Sequence, residues 1–153
     1  MNEIDVAAAG IEVPAWANAA GEFAAAALEE LGIKGWELSI LLCDDRFSTN
    51  LNERYRGESG PTDVLSFSQA SAGGAGEGTA GKRIVAGDVV ICVDALRRNA
   101  VRYEQPVETE LKRLLVHGIL HLHGLDHPPE GESEMLAEQE RVLERLREKT
   151  IGI

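Results

Sequence analysis

The residues best suited to chemistry are four histidines that all lie between positions 117 and 127: His117, His121, His123 and His127. On a helix, His117 and His121 share one face because they are four residues apart, so both imidazoles can bind one Zn²⁺ ion. Gly124 can end that helix and let the chain return His127 to the same ion. Three imidazoles leave one coordination position open for water, which is typical of catalytic zinc sites. The spacing therefore predicts one catalytic Zn²⁺ ion, bound by His117, His121 and His127.

The histidine spacing, H-x-x-x-H-x-x-G-x-x-H, matches the zinc-protease motif HExxHxxGxxH at all but one position. Gly118 stands where the protease has the Glu that serves as general base, and this disfavours a zinc peptidase. Asp126 is a candidate acceptor that orients an imidazole or a water, with a simple turn residue as the alternative. His123 lies about 200° around the helix from His121, so we expect it in packing or at the surface.

The elements that must position these residues alternate between strand and helix in an α+β arrangement. Asp44-Asp45 and Asp94 are expected to cap helices, and Gln139 falls in the buried stripe of the last helix. The Gly-rich tract 69–82 is expected to be a flexible loop that joins two strands of a hairpin. We expect one domain over 1–153, with a small mixed sheet and about five helices. The predicted strands are 2–6, 36–43, 62–67 and 84–93, and the predicted helices are 14–32, 46–55, 94–102, 107–123 and 132–149.

The charge balance limits the possible partners. Lys and Arg number 15 and Asp and Glu 26, which gives a net charge of −11. Such a chain repels bulk nucleic acid, so any RNA contact must come from a local basic patch or from the metal. No apolar run reaches the roughly 20 residues that span a bilayer, and the start has no secretion signal. We therefore expect a cytoplasmic protein without a membrane partner, with Cys43 and Cys92 as buried thiols and a cross-strand disulfide as the alternative.

Several strings along the chain match the pattern of one known protein family. The string VHGILHLHGLDH at 116–127 is similar to VHGxLHLxGYDH, which is the signature of the YbeY family of endoribonucleases. The strings LNERYRG at 51–57 and PTDVLSF at 61–67 resemble its LNxxYRxxxxPTDVLSF, and GDVVIC at 87–92 resembles its GDIxIC. The similarity covers roughly residues 38–147, and the matches occur in the same order along the chain.

The resemblance implies a zincin-like fold whose metal-binding helix ends at a Gly turn. It also implies a zinc-dependent, single-strand-specific endoribonuclease that acts in small-subunit rRNA maturation and ribosome quality control. Its partners would be single-stranded rRNA and the small ribosomal subunit or its proteins, and DNA is not expected. Arg56 would bind phosphate in the cleft beside the histidines, because a guanidinium binds phosphate through two hydrogen bonds. Ser66 and Phe67 are candidate substrate contacts, with a core position as the alternative for Phe67.

Several alternatives stay open at this point. A non-catalytic ribosome assembly factor with a structural zinc also fits the acidic charge, since ribosomal proteins are commonly basic. Water and the RNA 2′-hydroxyl are both possible nucleophiles, and Ni²⁺, Co²⁺ or Cu²⁺ would also bind three imidazoles. Leu125 stands where the family pattern has Tyr, and we expect Leu where this chain has His123.

Overall fold

The computed structural model describes residues 1–69, 83–124 and 129–153. It confirms the α+β class, with a four-stranded sheet and five helices in the predicted order. The strands are β1 Glu3–Ala9, β2 Trp36–Cys43, β3 Val64–Ser68 and β4 Ile84–Cys92. The helices are α1 Ala17–Glu30, α2 Asp45–Arg56, α3 Val93–Arg102, α4 Val107–His123 and α5 Pro129–Arg145.

The sheet is mixed and has the strand order β1-β2-β4-β3. The strands β1, β2 and β4 run parallel, whereas β3 pairs antiparallel with β4. This β3–β4 pairing confirms the predicted hairpin on either side of the Gly-rich tract, of which residues 70–82 lie outside the described residues. In the hairpin register, Ser66 is opposite Val89 and Phe67 is opposite Asp88.

The two faces of the sheet carry separate apolar clusters because side chains alternate along a strand. On one face, Ile40, Val89 and Ile91 join the main core with residues of α1 and α4. On the other face, Leu65 and Val90 pack with Cys43, Cys92 and apolar residues of α2. The helix that carries the histidines therefore covers one face, and α2 covers the opposite one.

Helix boundaries follow local capping chemistry. The Asp44 side chain accepts a hydrogen bond of 2.9 Å from the Phe47 backbone N–H, as expected for the cap of α2. The predicted cap at Asp94 is wrong, because α3 begins directly at the end of β4 and its N-cap is Cys92. Asp94 lies in the first turn, where its carboxylate accepts from the Asp45 backbone N–H at 2.9 Å. The last helix begins at Pro129, three residues before the predicted start, since Pro is well tolerated in a first turn.

Both cysteines are free and buried, as the sequence analysis expected. They are direct register partners on the parallel strands β2 and β4. Among the described residues, no helix is both long and apolar enough to cross a membrane.

Candidate active site

The position of α4 depends on a glycine in the middle of the helix. Gly118 is buried, and a Cβ added to it would lie 2.6 Å from Cγ1 of Val89 on β4 and 3.4 Å from Oγ of Ser66 on β3. The Ser66 hydroxyl donates a hydrogen bond of 3.0 Å to the Gly118 carbonyl oxygen. Gly118 therefore faces the sheet and lets α4 lie against β3 and β4. His117 and His121 line the cleft beside this contact, together with Ser66.

His117 and His121 converge as the helical spacing predicts. Their rings lie edge to face with centroids 4.4 Å apart, and their Nε2 atoms are 2.9 Å apart. Two nitrogens that each bind Zn²⁺ at about 2.1 Å can be this close, since their separation is less than twice that bond length. The two imidazoles therefore fit a shared metal ion through Nε2.

A third side chain, Gln139, contacts this pair from α5. Its amide oxygen lies 3.0 Å from Nδ1 of His117, and the residue is only 3% exposed. The helical periodicity predicts Gln139 in the buried stripe of the last helix, and its burial confirms this, but the periodicity indicates no function for the residue. A glutamine at an otherwise apolar position of an amphipathic helix indicates a specific hydrogen-bond partner, because a buried amide needs one.

A cleft of about 400 Å³ opens beside the two histidines. The chain segment 62–66 forms one wall, and Arg56 contributes from the end of α2. Gly57 ends that helix with φ of 67°, a left-handed conformation that glycine adopts without strain. The Arg56 side chain is 51% exposed, and its guanidinium lies 3.9 Å from a carboxylate oxygen of Glu58. An ion pair this long and exposed is weak, so Arg56 can turn to an anion in the cleft.

The wall residue Asp63 is tied to α4 through a polar network. The Asn99 amide donates to both Asp63 and Glu110, at 3.0 and 3.1 Å. Arg113 donates two hydrogen bonds to the buried Glu110 carboxylate, at 2.9 and 2.7 Å. The Glu110 carboxylate raises the pKa of Arg113, and the guanidinium also lies 3.9 Å from Asp63. The network connects the cleft wall to the helix one turn before His117.

The structure separates the two candidate substrate contacts, Ser66 and Phe67. Ser66 lines the cleft. Phe67 lies on the α2 face of the sheet, where its ring packs edge to face against Tyr55 with the ring centroids 5.4 Å apart. His123 is exposed and contacts the ring of Trp36 at 5.9 Å, which confirms its expected packing or surface position. His127 and Asp126 lie outside the described residues, so their roles stay predictions.

A second group of metal-ligating atoms lies outside this cleft. Asp45, Cys92 and Asp94 each bring one ligand atom to within 4.8 Å of the others. Both Asp45 oxygens already accept hydrogen bonds of 2.7 Å from Arg98, which lowers the pKa of Asp45. The Cys43 thiol hydrogen-bonds to Cys92 and thereby lowers the pKa of Cys92. A cation here would have to displace a guanidinium, so the histidine pair is the stronger candidate for a metal site.

Comparison with known proteins gives a consistent result. The family profile described as "Endoribonuclease YbeY" matches residues 3–147. The Endoribonuclease YbeY of Treponema denticola is 48% identical over 124 residues, covering 79% of this chain and 77% of its own length. That of Treponema pallidum is 40% identical over 144 residues, covering 94% and 89% respectively.

A solved structure agrees on the fold. The solution structure of TM1509 from Thermotoga maritima superposes with a TM-score of 0.62. It covers 98% of this chain and 95% of its own, at 24% sequence identity. At this identity the similarity supports the architecture alone.

Proposed function

The chain belongs to the YbeY family of endoribonucleases, and we propose that it is a zinc-dependent, single-strand-specific endoribonuclease. Its place would be in small-subunit rRNA maturation and ribosome quality control. The observation that carries the proposal is the pair of Nε2 atoms 2.9 Å apart on His117 and His121, which lines the same cleft as Arg56. A metal-binding pair beside an available guanidinium suits a phosphodiester substrate.

The donor set fits a zinc ion. His117 and His121 would hold it through Nε2, and His127 is the predicted third ligand. When bound, Zn²⁺ supplies Lewis acidity that favours attack on phosphorus at neutral pH. The Asp45–Cys92–Asp94 group offers carboxylates and one thiol, but its Arg98 contact makes it the weaker candidate.

The remaining steps belong to the chain's own side chains. Arg56 would bind a non-bridging phosphate oxygen and offset the negative charge that develops there. Ser66 keeps α4 against β3, and with Asp63 it shapes the wall against which the RNA strand lies. A single strand is the proposed substrate because the bases and backbone of unpaired RNA are accessible to side chains, whereas those of a duplex are largely covered.

A zinc peptidase is disfavoured for a geometric reason. Gly118 replaces the protease's Glu, and a Cβ at this position would lie only 2.6 Å from Cγ1 of Val89 on the sheet, so the packing leaves no room for a glutamate here. A base from this position is therefore excluded by packing. For RNA cleavage the nucleophile can be water or the 2′-hydroxyl, which leave a 5′-phosphate and a 2′,3′-cyclic phosphate respectively.

The charge of the chain suggests how RNA reaches the cleft. With a net charge of −11, the protein as a whole repels a phosphate backbone. We infer that basic proteins of the small ribosomal subunit bring the RNA to the site in the cytoplasm, and that DNA is not a substrate. The same charge also favours the second candidate function, a non-catalytic ribosome assembly factor with a structural metal.

The decisive experiment is cleavage of an end-labelled single-stranded RNA by the zinc-loaded protein, with the new ends mapped. His121→Ala is the test variant, since it removes one nitrogen of the converging pair. His123→Ala is the matched control, because it removes a histidine of the same helix that contacts Trp36 instead of the cleft.

We expect the unsubstituted protein and His123→Ala to cut the RNA and folded His121→Ala to lose cleavage. A chelator should abolish cleavage, and added Zn²⁺ should restore it. Equal cleavage by all three proteins would indicate a contaminating ribonuclease. That result, or no cleavage by any of them, would favour the assembly factor.

A further inference from the structure

Gln139 is a polar residue at an apolar position of α5. The residues on the same stripe, Met135, Val142 and Leu143, pack against the main core. At 3% exposure, the Gln139 amide has lost nearly all contact with solvent, and this is costly unless the amide is hydrogen-bonded. The contact that compensates for this cost is the one from its oxygen to Nδ1 of His117, at 3.0 Å.

This contact has a consequence at the other side of the imidazole ring. A neutral histidine carries one proton, and the hydrogen bond made by one ring nitrogen decides which nitrogen holds it. An amide oxygen at Nδ1 requires the proton there, so Nδ1–H donates to Gln139. The Nε2 atom is then unprotonated, and it is this atom that lies 2.9 Å from Nε2 of His121.

We propose that Gln139 is the positioning residue of the metal centre, which fixes the Nδ1–H tautomer and the ring orientation of His117 so that Nε2 is presented to the ion. This inference deepens the proposed function, because it rests on His117 being a metal ligand. The opposite amide orientation would place an NH₂ group at Nδ1 and force the proton onto Nε2, where it blocks coordination. The oxygen must therefore face His117 when the ion binds.

The arrangement also connects two helices through the site. His117 lies on α4 and Gln139 lies 22 residues later on α5, so the ring is oriented by a different element from the one that carries it. A surface histidine two turns from a helix end would rotate about its side-chain bonds, whereas this ring is held at both nitrogens. Histidine ligands whose second ring nitrogen donates to a carbonyl or carboxylate bind the metal more tightly, because the ring orientation and the tautomer are already fixed.

The test compares two substitutions at one position. Gln139→Met has a similar volume and no acceptor at this place, whereas Gln139→Glu keeps an acceptor oxygen. Val142→Ala, one turn further along α5, controls for a general loss of packing between α5 and the core. Zinc affinity is measured by competition with a chromophoric chelator, and the His117 tautomer is read from ¹⁵N chemical shifts in the zinc-free protein. Urea unfolding verifies that each variant is folded.

We expect Gln139→Met to weaken zinc binding by about tenfold to 100-fold and to move the His117 proton towards Nε2. Gln139→Glu should keep the Nδ1–H tautomer and should not weaken zinc binding. The inference is overturned if folded Gln139→Met keeps both the tautomer and the affinity, or if Val142→Ala weakens zinc binding equally. If the unsubstituted protein does not bind zinc yet its His117 tautomer still depends on Gln139, the proposed zinc dependence fails and the positioning contact stands.

Discussion

The Ser66 hydroxyl on β3 donates a 3.0 Å hydrogen bond to the carbonyl oxygen of Gly118 in the middle of α4. This contact is possible because the helix lies directly on the sheet, with no Cβ at Gly118 to separate them. The position that carries the general base in zinc proteases is thus a packing contact in this protein. The same contact sets the depth at which His117 and His121 stand above the strands.

Gly118→Ala should destabilise the protein even though alanine is the better helix former. The added Cβ would lie 2.6 and 3.2 Å from the two Cγ atoms of Val89, so the helix or the strand must shift. Overpacking of this kind costs about 1–3 kcal/mol, more than the gain of about 1 kcal/mol in helix propensity. Urea unfolding of the zinc-free protein measures the net loss.

A double-mutant cycle with Val89→Ala verifies the cause. The smaller side chain makes room for the new Cβ, so the two substitutions together should cost less than the sum of each alone, by about 0.5–3 kcal/mol. Additive losses would show that the destabilisation does not come from the Gly118–Val89 contact.

Arg56→Gln should reduce RNA cleavage without reducing stability. A hydrogen bond to a charged group contributes about 1.5–3 kcal/mol, which corresponds to a fall of roughly tenfold to 100-fold in kcat/KM. The free energy of unfolding should change by less than about 0.5 kcal/mol, because Arg56 is exposed and 3.9 Å from Glu58. Arg54→Gln, at an exposed position of the same helix, is the control and should leave kcat/KM unchanged. Equal losses in the two variants would point to general electrostatic attraction of RNA.

The Glu110–Arg113 pair should respond unequally to the loss of each partner. The Glu110 side chain is 4% exposed and that of Arg113 is 36% exposed. Arg113→Met leaves a buried carboxylate without its cation and should cost about 3–5 kcal/mol. Glu110→Gln leaves a guanidinium that can hydrate, and should cost about 1–3 kcal/mol.

The control for this pair is Arg147→Met, which breaks the exposed 2.8 Å pair with Glu144 and should cost less than about 1 kcal/mol. Chemical unfolding at one pH gives all three values. A larger loss for Glu110→Gln than for Arg113→Met would contradict the predicted asymmetry.

The Asp45–Arg98 ion pair should make stability depend on pH in the acid range. The Arg98 guanidinium holds the pKa of Asp45 below its usual value of 3.8. A carboxylate with a lowered folded-state pKa adds stability that is present above the unfolded pKa and is lost as pH falls through the folded one. The difference in unfolding free energy between the unsubstituted protein and Asp45→Asn should be constant above roughly pH 5 and shrink towards pH 2.

Asp5→Asn removes an exposed carboxylate from β1 and is the control for the change in net charge. Arg98→Met should remove the same pH-dependent component as Asp45→Asn. A constant difference between the unsubstituted protein and Asp45→Asn across the whole range would show that the pair is broken in solution.

Local patterns determined much of this protein. The helical spacing of His117 and His121 fixes their convergence, because residues four apart share one face of any α-helix. The periodicities that predicted α4 at 107–123 and β2 at 36–43 match the observed bounds, since both elements are long and strongly patterned. The sequence predicts the wrong N-cap for α3, because aspartate is a favourable N-cap residue and Asp94 is the aspartate at hand. In the structure α3 follows β4 without a loop, and the N-cap is therefore Cys92.

Tertiary structure decided which neighbouring residues act together. Ser66 and Phe67 are adjacent in sequence, yet strand alternation places one in the cleft and the other against α2 once the sheet is covered on both faces. The contact of Gln139 with His117 joins residues 22 positions apart, and no local pattern specifies the register of α5 on α4. Local sequence patterns thus specify the converging histidine pair and the elements that carry it, whereas the packing of helix on sheet and of helix on helix decides what surrounds that pair.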